Sequence, residues 1–394
     1  MLWQQYVLRR GSHVHDMWDS LFEGRPIRLL YIAGRGFDVR AESVMRSFVE
    51  AMTTSKRTVS SAVLLLISFS HYRLSDELKE QTELNATSFQ QLFQSLGSIT
   101  TVSIGSSTDS EEDVSASNAL RTGTEQVLNQ VTDQTDIVLD ASSLPRVVYL
   151  ALLTGLLQKL IPDKGAPNAL WANGVNLQVL VAEDAALDGH IQSEDPSNDL
   201  VLIPGFSSVL HAESVQDWPL VWFPILGANR VSQLQKVMDA AIPSFAEICP
   251  ILPHPSRDLR LADRLLVDYK KPLFDARQTP TGNILYVHEA HPFEAYRQIL
   301  GAMHRYRQSM QILGGCRLVV TPLASKLITV GAGLACFEMR PGSMNENYGV
   351  AIPYAEPTRY VASPAVLRAS RPEMCSLLLT GNAYDLREPE TEIM

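Results

Sequence analysis

Charged side chains gather where apolar, strand-like segments of this sequence end, and these are the residues that could carry out chemistry. Carboxylates at such positions can serve as general acids or bases, and cations there can hold an anionic ligand. Asp140 and Glu289 are the candidates for acid/base catalysis. The candidate ligand-binding residues are Arg35, Asp38, Arg40, Arg146, His288, Arg297, Ser325, Lys326, Glu356 and Arg359.

The segment GRGFDVR, residues 34–40, follows a strand-like segment and opens a helical one. This is the place of the dinucleotide fingerprint G-x-G-x-x-G, but Val39 stands where the third glycine is needed for close helix–sheet packing. A conventional NAD or FAD site is therefore not favoured. Arg35 or Arg40 could instead meet an anion at the helix N-terminus. The alternative is a tight turn in which Asp38 caps the helix.

Two further strand ends carry the candidate catalytic carboxylates. Asp140 begins DASSLPR, residues 140–146, and a buried carboxylate at a strand end needs a partner or a ligand. The serines after it are explained by capping of a helix that begins near Pro145. Glu289 lies in HEAHPFEAYR, residues 288–297, which is not the zinc-binding H-E-x-x-H pattern. We therefore expect no metal site.

Cations and tyrosines follow two strand-like segments near the end of the chain. Lys326 starts a helix after TPLAS, where a lysine beside backbone N–H groups would suit a phosphate clamp. The sequence contains no G-x-x-x-x-G-K-[ST] and therefore no P-loop. Glu356 and Arg359 lie in YAEPTRY, whose two tyrosines could stack on a base. The alternative there is an ordinary packed strand end.

The elements that must position these residues alternate between strand-like and helix-like segments along the chain. Continuous apolar strands separated by helices are typical of parallel sheets covered on both faces. We therefore predict an α/β fold with mostly parallel, doubly wound Rossmann-like sheets in two βαβ halves. The predicted domains are an N-terminal extension (1–25), a first α/β domain (26–185) and a second one with a short acidic tail (199–394). Residues 106–118 and 184–199 are predicted loops, and 147–157 a fully buried helix.

The topology also predicts which candidates lie together. Parallel strands place their carboxyl ends at one edge of a sheet, where ligands of open α/β sheets bind. If both halves share a cleft, Lys326, Arg40 and Asp140 should all face it. If the halves are separate, Lys326 should group with Glu289 and Arg297 instead, and this second arrangement is the favoured one.

Composition excludes several classes of protein. The chain has 394 residues, 33 Lys and Arg against 43 Asp and Glu, a net charge of −10 and four cysteines. So few, widely spaced cysteines exclude a disulfide scaffold and argue against a structural zinc site. The acidic balance argues against a nucleic-acid-binding surface across the whole chain. No apolar segment approaches the ~20 residues that span a bilayer, and a soluble protein of the reducing cytoplasm is expected.

The function expected from these patterns is binding of a nucleotide-like or phosphorylated small molecule at the strand carboxyl ends. The protein could be a hydrolase or a transferase. The alternative is a non-catalytic adaptor or ligand-sensor subunit of a larger assembly, with a protein partner. The sequence identifies no cofactor, leaves open whether the protein is an enzyme, and is silent on the substrate.

Overall fold

The computed structural model describes most of the chain. The described residues are 1–53, 57–70, 72–105, 115–184, 191–197, 199–340 and 349–386, without the side chains of Ser193, Ser208 and His211.

The described elements alternate between strands and helices, as the apolar pattern predicts. The strands are β1 (Val7–Arg10), β2 (Pro26–Gly34), β3 (Thr58–Phe69), β4 (Ser98–Ile104), β5 (Asp136–Asp140), β6 (Asn176–Glu183), β7 (Gln192–Pro196), β8 (Val201–Leu202), β9 (Leu220–Ile225), β10 (Glu247–Ile248), β11 (Ile251–Pro253), β12 (Leu285–Val287), β13 (Arg317–Pro322), β14 (Val350–Ala351), β15 (Pro353–Tyr354), β16 (Pro357–Val361) and β17 (Glu373–Thr380). The α-helices are α1 (His13–Phe22), α2 (Arg40–Met52), α3 (Asp76–Phe93), α4 (Ala116–Leu128), α5 (Arg146–Leu160), α6 (Ser208–His211), α7 (Val231–Ala241), α8 (Leu261–Asp268), α9 (Pro292–Ser309), α10 (Lys326–Met339) and α11 (Pro364–Arg368).

The first large sheet has seven strands in the order β1-β17-β6-β5-β2-β3-β4. Strands β2 to β6 run parallel to one another, whereas β17 is antiparallel to both β6 and β1. Strand β1 belongs to the predicted N-terminal extension and β17 to the predicted second domain. Both segments therefore join the first sheet across the boundaries 25/26 and 185/199, which stay predictions.

The second large sheet contains β12-β11-β9-β13-β14, with β10 also paired to β9, and all its pairings are parallel. Two small antiparallel pairs, β15 with β8 and β16 with β7, complete the described strands. Two mostly parallel sheets with intervening helices confirm the predicted α/β fold.

Both predicted loops contain regular structure. Residues 192–196 form β7, which pairs with β16. Its sequence QSEDP has no apolar residue, so its pattern gave no sign of a strand. In the other loop, Ser115 caps α4 by accepting the backbone N–H of Asn118 at 3.4 Å, so 116–118 are helical. Residues 106–114, 185–190 and 198, and the tail beyond 386, lie outside the described residues.

Helix α5 of the first half packs against a helix of the second half. Residues 147–157 are buried except for half-buried Gly155, which confirms the predicted buried helix. Its neighbours are α4 on one side and α10 of the second half on the other. A side chain at Gly333 of α10 would place its Cβ 2.9 Å from Leu150 Cδ2 of α5, so the small residue permits this close packing. The N-termini of α5 and α10, at Arg146 and Lys326, therefore lie in the same region.

A membrane span is a separate question from burial. Within the described ranges, no helix has both the length and the apolar character needed to cross a bilayer.

Candidate ligand-binding cavity

A cavity of about 320 Å³ lies where the carboxyl ends of both large sheets meet, and we call it the inter-sheet cavity. Loops after β2, β5, β9, β11, β12 and β13 contribute to its wall, together with residues at the N-termini of α2, α5, α7, α8 and α10. Its charged wall residues are Asp38, Arg40, Arg146, Arg230, Asp258, Arg264, Glu289 and Lys326, and its aromatic ones are Phe37, Tyr72, Tyr149, Tyr354 and Tyr360.

The two halves share this cavity. Lys326 Nζ of the second half lies 3.9 Å from Asp38 Oδ2 of the first half. The favoured separation of Lys326 from Arg40 is therefore wrong, although Lys326 does share the cavity with Glu289, as expected, and not with Arg297. Although the sheets are separate, α5 packs against α10, and loops from the carboxyl ends of both sheets line the same cavity.

Asp38 and Arg40 form a buried ion pair on the wall. Arg40 Nε donates to Asp38 Oδ1 at 2.9 Å and Nη2 donates to Oδ2 at 2.7 Å. Asp38 also accepts the backbone N–H of Arg40 at 3.1 Å, at the start of α2. Burial alone would raise the pKa of Asp38, but Arg40 and then Lys326 hold it below its ordinary value. Asp38 is therefore an anion that orients both cations.

The two glycines of GRGFDVR allow one loop to touch another. A Cβ at Gly34 would lie 2.8 Å from the backbone oxygen of Ser143, and one at Gly36 would lie 2.9 Å from it. Ser143 Oγ also donates to Gly34 O at 2.8 Å. These glycines are therefore explained by the close approach of the β5–α5 loop.

Arg146 bridges the halves from the first turn of α5. Its Nη1 donates to Tyr354 Oη at 3.1 Å, and Nη2 donates to the backbone oxygen of Ala324. The guanidinium carbon also lies 5.5 Å from the centroid of the Tyr354 ring. Arg146 thus stabilises the contact between α5 and the second sheet while its side chain faces the cavity.

Ser325 and Lys326 occupy the N-terminus of α10. Ser325 Oγ accepts the backbone N–H of Ile328 at 3.4 Å and donates to Glu289 O at 3.4 Å. The side chain of Lys326 is 22% exposed, so it is shielded without being cut off from solvent. Both predicted residues line the cavity.

The two candidate catalytic carboxylates differ in position. Glu289 lines the cavity, and its Oε2 accepts the backbone N–H of Arg257 at 2.9 Å. Asp140 is fully buried and does not line the cavity; Tyr31 Oη and the Ser142 N–H donate to it at 3.0 and 2.9 Å. Burial raises the pKa of Asp140 to about 6, against the lowering effect of these hydrogen bonds. Its position is that of a buried acceptor that shapes the loop before α5.

Glu356 lies behind the wall and is only 4% exposed. Burial raises its pKa to about 7, although Arg146 and Arg230 favour the charged form. The Val147 N–H also favours the charged form, although neither carboxylate oxygen has a partner with full hydrogen-bond geometry among the described residues. It is therefore a buried carboxyl group whose charge faces two wall arginines without a direct hydrogen bond.

Besides Glu356, four predicted ligand-binding residues do not line the cavity, because each side chain reaches a different neighbour. Arg35 pairs with Glu83 at 2.6 Å and Arg359 with Glu194 at 3.6 Å. The other two bind backbone: Arg297 donates to Gln4 O at 2.6 Å, and His288 Nδ1 accepts the Ala290 N–H at 3.1 Å.

The site residues absent from the prediction include Arg230 and the tyrosines Tyr72 and Tyr149. Arg230 precedes α7, and its Nη1 donates to Gln233 Oε1 at 3.3 Å. A sequence pattern does indicate Arg230, because VWFPILGANR repeats the order strand, glycine, arginine, helix found in LLYIAGRGFDVR. Tyr149 had no such signal, because it lies within a uniformly apolar helix.

Metal chemistry has no support from the described side chains. Among these residues, no group of three His, Cys, Asp or Glu is placed to hold a metal ion.

Comparison with known proteins gives only distant structural likeness. No family model matches the chain, and no curated protein matches it in sequence. A crystal structure described as a universal stress protein from Pseudomonas aeruginosa UCBPP-PA14 has 12% identity and a TM-score of 0.23, over 87% of this chain and 96% of that chain. One described as a UDP-N-acetylglucosamine 2-epimerase from Listeria monocytogenes has 8% identity and a TM-score of 0.22, over 77% of this chain and 76% of that chain.

Proposed function

We propose that the inter-sheet cavity binds a nucleotide-like small molecule through its phosphate. The observation that carries the proposal is the charge of the wall. Five cations (Arg40, Arg146, Arg230, Arg264, Lys326) face three carboxylates (Asp38, Asp258, Glu289) there, in a chain whose net charge is −10. A local excess of positive charge in an acidic protein favours an anionic ligand.

The helices strengthen this preference. Residues at the N-termini of α5, α7 and α10 lie on the wall, and each N-terminus carries a partial positive charge and backbone N–H groups without helical partners. Phosphate groups are commonly held in such positions. Arg146 and Lys326 stand at two of these N-termini, so side-chain and backbone charge act in the same place.

The aromatic side chains of the wall offer a binding surface for the base of the nucleotide. Tyr72 and Tyr360 pack edge to face with centroids 5.0 Å apart, and Phe37 lies 5.9 Å from Tyr360. Aromatic rings of this kind can stack on a nucleobase. The cavity volume of about 320 Å³ is at the lower end of small-molecule sites, which suits one mononucleotide.

The wall favours binding without turnover, the ligand-sensor alternative, over hydrolysis or group transfer. Arg40 and Lys326 hold the pKa of Asp38 low against burial, and hydrogen bonds from Arg264 and the Arg260 N–H hold the pKa of Asp258 low. Both are thus poor general acids at neutral pH. Of the carboxylates on the described wall, Glu289 is then the remaining candidate for a general acid.

Calorimetric titration tests the proposal with AMP, ribose 5-phosphate and adenosine. We expect AMP to bind most tightly, ribose 5-phosphate more weakly and adenosine weakest. Lys326→Met should weaken AMP binding by about 10- to 100-fold, the range for a lost charged hydrogen bond.

Lys271→Met is the matched control, because Lys271 is exposed and outside the cavity. It should leave the AMP affinity within about twofold of the wild type, as surface substitutions usually do. If neither AMP nor ribose 5-phosphate binds, or if both variants behave alike, the proposed function is wrong.

A further inference from the structure

Three buried polar atoms beside the cavity lack hydrogen-bond partners among the described residues. They are Arg146 Nε and Tyr149 Oη on α5, and Thr329 Oγ1 on α10. Tyr149 is 1% exposed and Thr329 is fully buried. Burying a polar group without a hydrogen bond is unfavourable, and native proteins keep few such groups without a functional reason.

These atoms come together from both halves of the molecule. Arg146 and Tyr149 are three residues apart and share a face of α5 that lines the cavity. Thr329 lies one turn after Lys326 on α10. Burial raises the pKa of Tyr149, whereas Arg146 and Thr329 lie close enough to its phenol to lower it. Neither contact meets full hydrogen-bond geometry, so the phenol oxygen has no well-formed partner among the described residues. These three polar side chains therefore lie together within the otherwise apolar contact between α5 and α10.

All three of these polar groups can donate hydrogen bonds. The Nε–H of arginine has no acceptor function, and a tyrosine or threonine hydroxyl donates readily to an anion. The nearby carboxylate of Glu356 does not meet this need, because its own oxygens have no hydrogen-bond partner among the described residues. An oxyanion of a bound ligand would satisfy several donors at once.

We infer that Arg146 Nε and Tyr149 Oη, supported by Thr329, receive a phosphate oxygen of the ligand at the contact between α5 and α10. This inference rests on the proposed function and adds the position of the phosphate within it. It makes Tyr149, which sequence patterns did not single out, a binding residue. The ligand would then replace hydrogen bonds that the protein does not make internally.

Tyr149→Phe tests the inference, because it removes the hydroxyl and little else. AMP affinity should fall by about tenfold, as for loss of one hydrogen bond to a charged group. The melting temperature of the ligand-free protein should stay the same or rise, because an unsatisfied buried hydroxyl is removed. Thr329→Val should change both quantities in the same directions.

Tyr384→Phe is the matched control. The Tyr384 hydroxyl donates to Leu378 O at 2.6 Å and accepts the Val7 N–H at 3.3 Å, away from the cavity. This variant should lower the melting temperature and leave AMP affinity unchanged.

The inference is overturned if Tyr149→Phe binds AMP as the wild type does, or if it lowers the ligand-free melting temperature as Tyr384→Phe does. In the first case the proposed function stands when Lys326→Met still weakens binding. If the wild type binds neither AMP nor ribose 5-phosphate, the proposed function fails and this inference fails with it.

Discussion

Glu356 is a buried carboxyl group close to two wall arginines, and its protonation should affect stability. Burial raises its pKa from 4.5 to about 7. Below pH ~4.5 the group is protonated in both the folded and the unfolded chain and has no effect. As the pH rises from there to about 7, the unfolded chain loses the proton first, so the free energy of unfolding falls.

Glu356→Gln should therefore stabilise the protein at pH 8 and leave its stability nearly unchanged at pH 4. The expected gain at pH 8 is on the order of 3 kcal/mol, from 1.36 kcal/mol for each pKa unit. Urea unfolding at the two pH values measures it. An equal effect at both pH values would show that the carboxyl group is not the titrating group.

The same residue should make ligand affinity depend on pH. An anion held by Arg146 and Arg230 would repel the Glu356 carboxylate, so binding should be accompanied by uptake of a proton. On the protein's side, AMP affinity should therefore rise as the pH falls from 8 to 6. Protonation of the AMP phosphate opposes this rise, but it affects the wild type and Glu356→Gln alike. Glu356→Gln should flatten this rise, and titration in buffers of different ionisation enthalpy should show the loss of proton uptake. An unchanged pH profile would contradict the coupling.

Individual site residues could be predicted from the sequence only in part. Asp38, Arg40, Ser325 and Lys326 line the cavity because each lies at or just before the start of the helix that follows a strand, where a short connection keeps the side chain near the sheet edge. The side chain of Arg297, one turn into its helix, reaches Gln4 instead. Which neighbour such a long side chain meets depends on elements distant in sequence.

At the scale of elements, the contact between α9, α10 and α5 holds the cavity in place. A Cβ at Gly331 of α10 would lie 2.3 Å from the backbone oxygen of Pro292 at the start of α9. Because a backbone atom cannot move aside as a flexible side chain can, this glycine is required for the close approach. At a helix position without such crowding, glycine would destabilise the helix relative to alanine.

Gly331→Ala and Gly301→Ala should consequently have opposite effects on stability. The first should lower the free energy of unfolding by roughly 1–3 kcal/mol, as overpacking does. The second, on α9, meets only Arg305 Nη1 at 3.5 Å, and it should raise the free energy of unfolding by up to about 1 kcal/mol through helix propensity. Urea unfolding compares them, and a stabilising Gly331→Ala would contradict the packing described for α10.

The sequence predicts which segments form buried strands, but it does not predict which strands pair with one another. The apolar sequence of β6 indicates a strand, but its place between β5 and β17 depends in part on pairing with residues nearly 200 positions away in sequence. Strand β7 was missed because a polar edge strand lacks the apolar pattern on which the prediction depends. Local pattern therefore predicted element type and parallel architecture, and left strand order open.

At the scale of the whole molecule, the cavity has the opposite charge sign to the chain. If the overall charge of −10 determined ligand binding, added salt would screen repulsion and strengthen the binding of an anion. If the wall cations determine it, salt should weaken binding. We expect AMP affinity to fall several-fold from about 0.01 M to about 1 M salt, over which the Debye length shrinks from ~30 to ~3 Å. Titrations across this range show whether added salt weakens or strengthens AMP binding.

The central claim is that both halves of the protein hold one phosphate-bearing ligand, and a crystal structure grown with AMP tests it most directly. The phosphate should lie between the N-termini of α5 and α10, within about 3 Å of Arg146 Nε and Tyr149 Oη and close to Lys326, as charged hydrogen bonds require. AMP bound elsewhere on the protein, or contacting residues of one half alone, would contradict the claim.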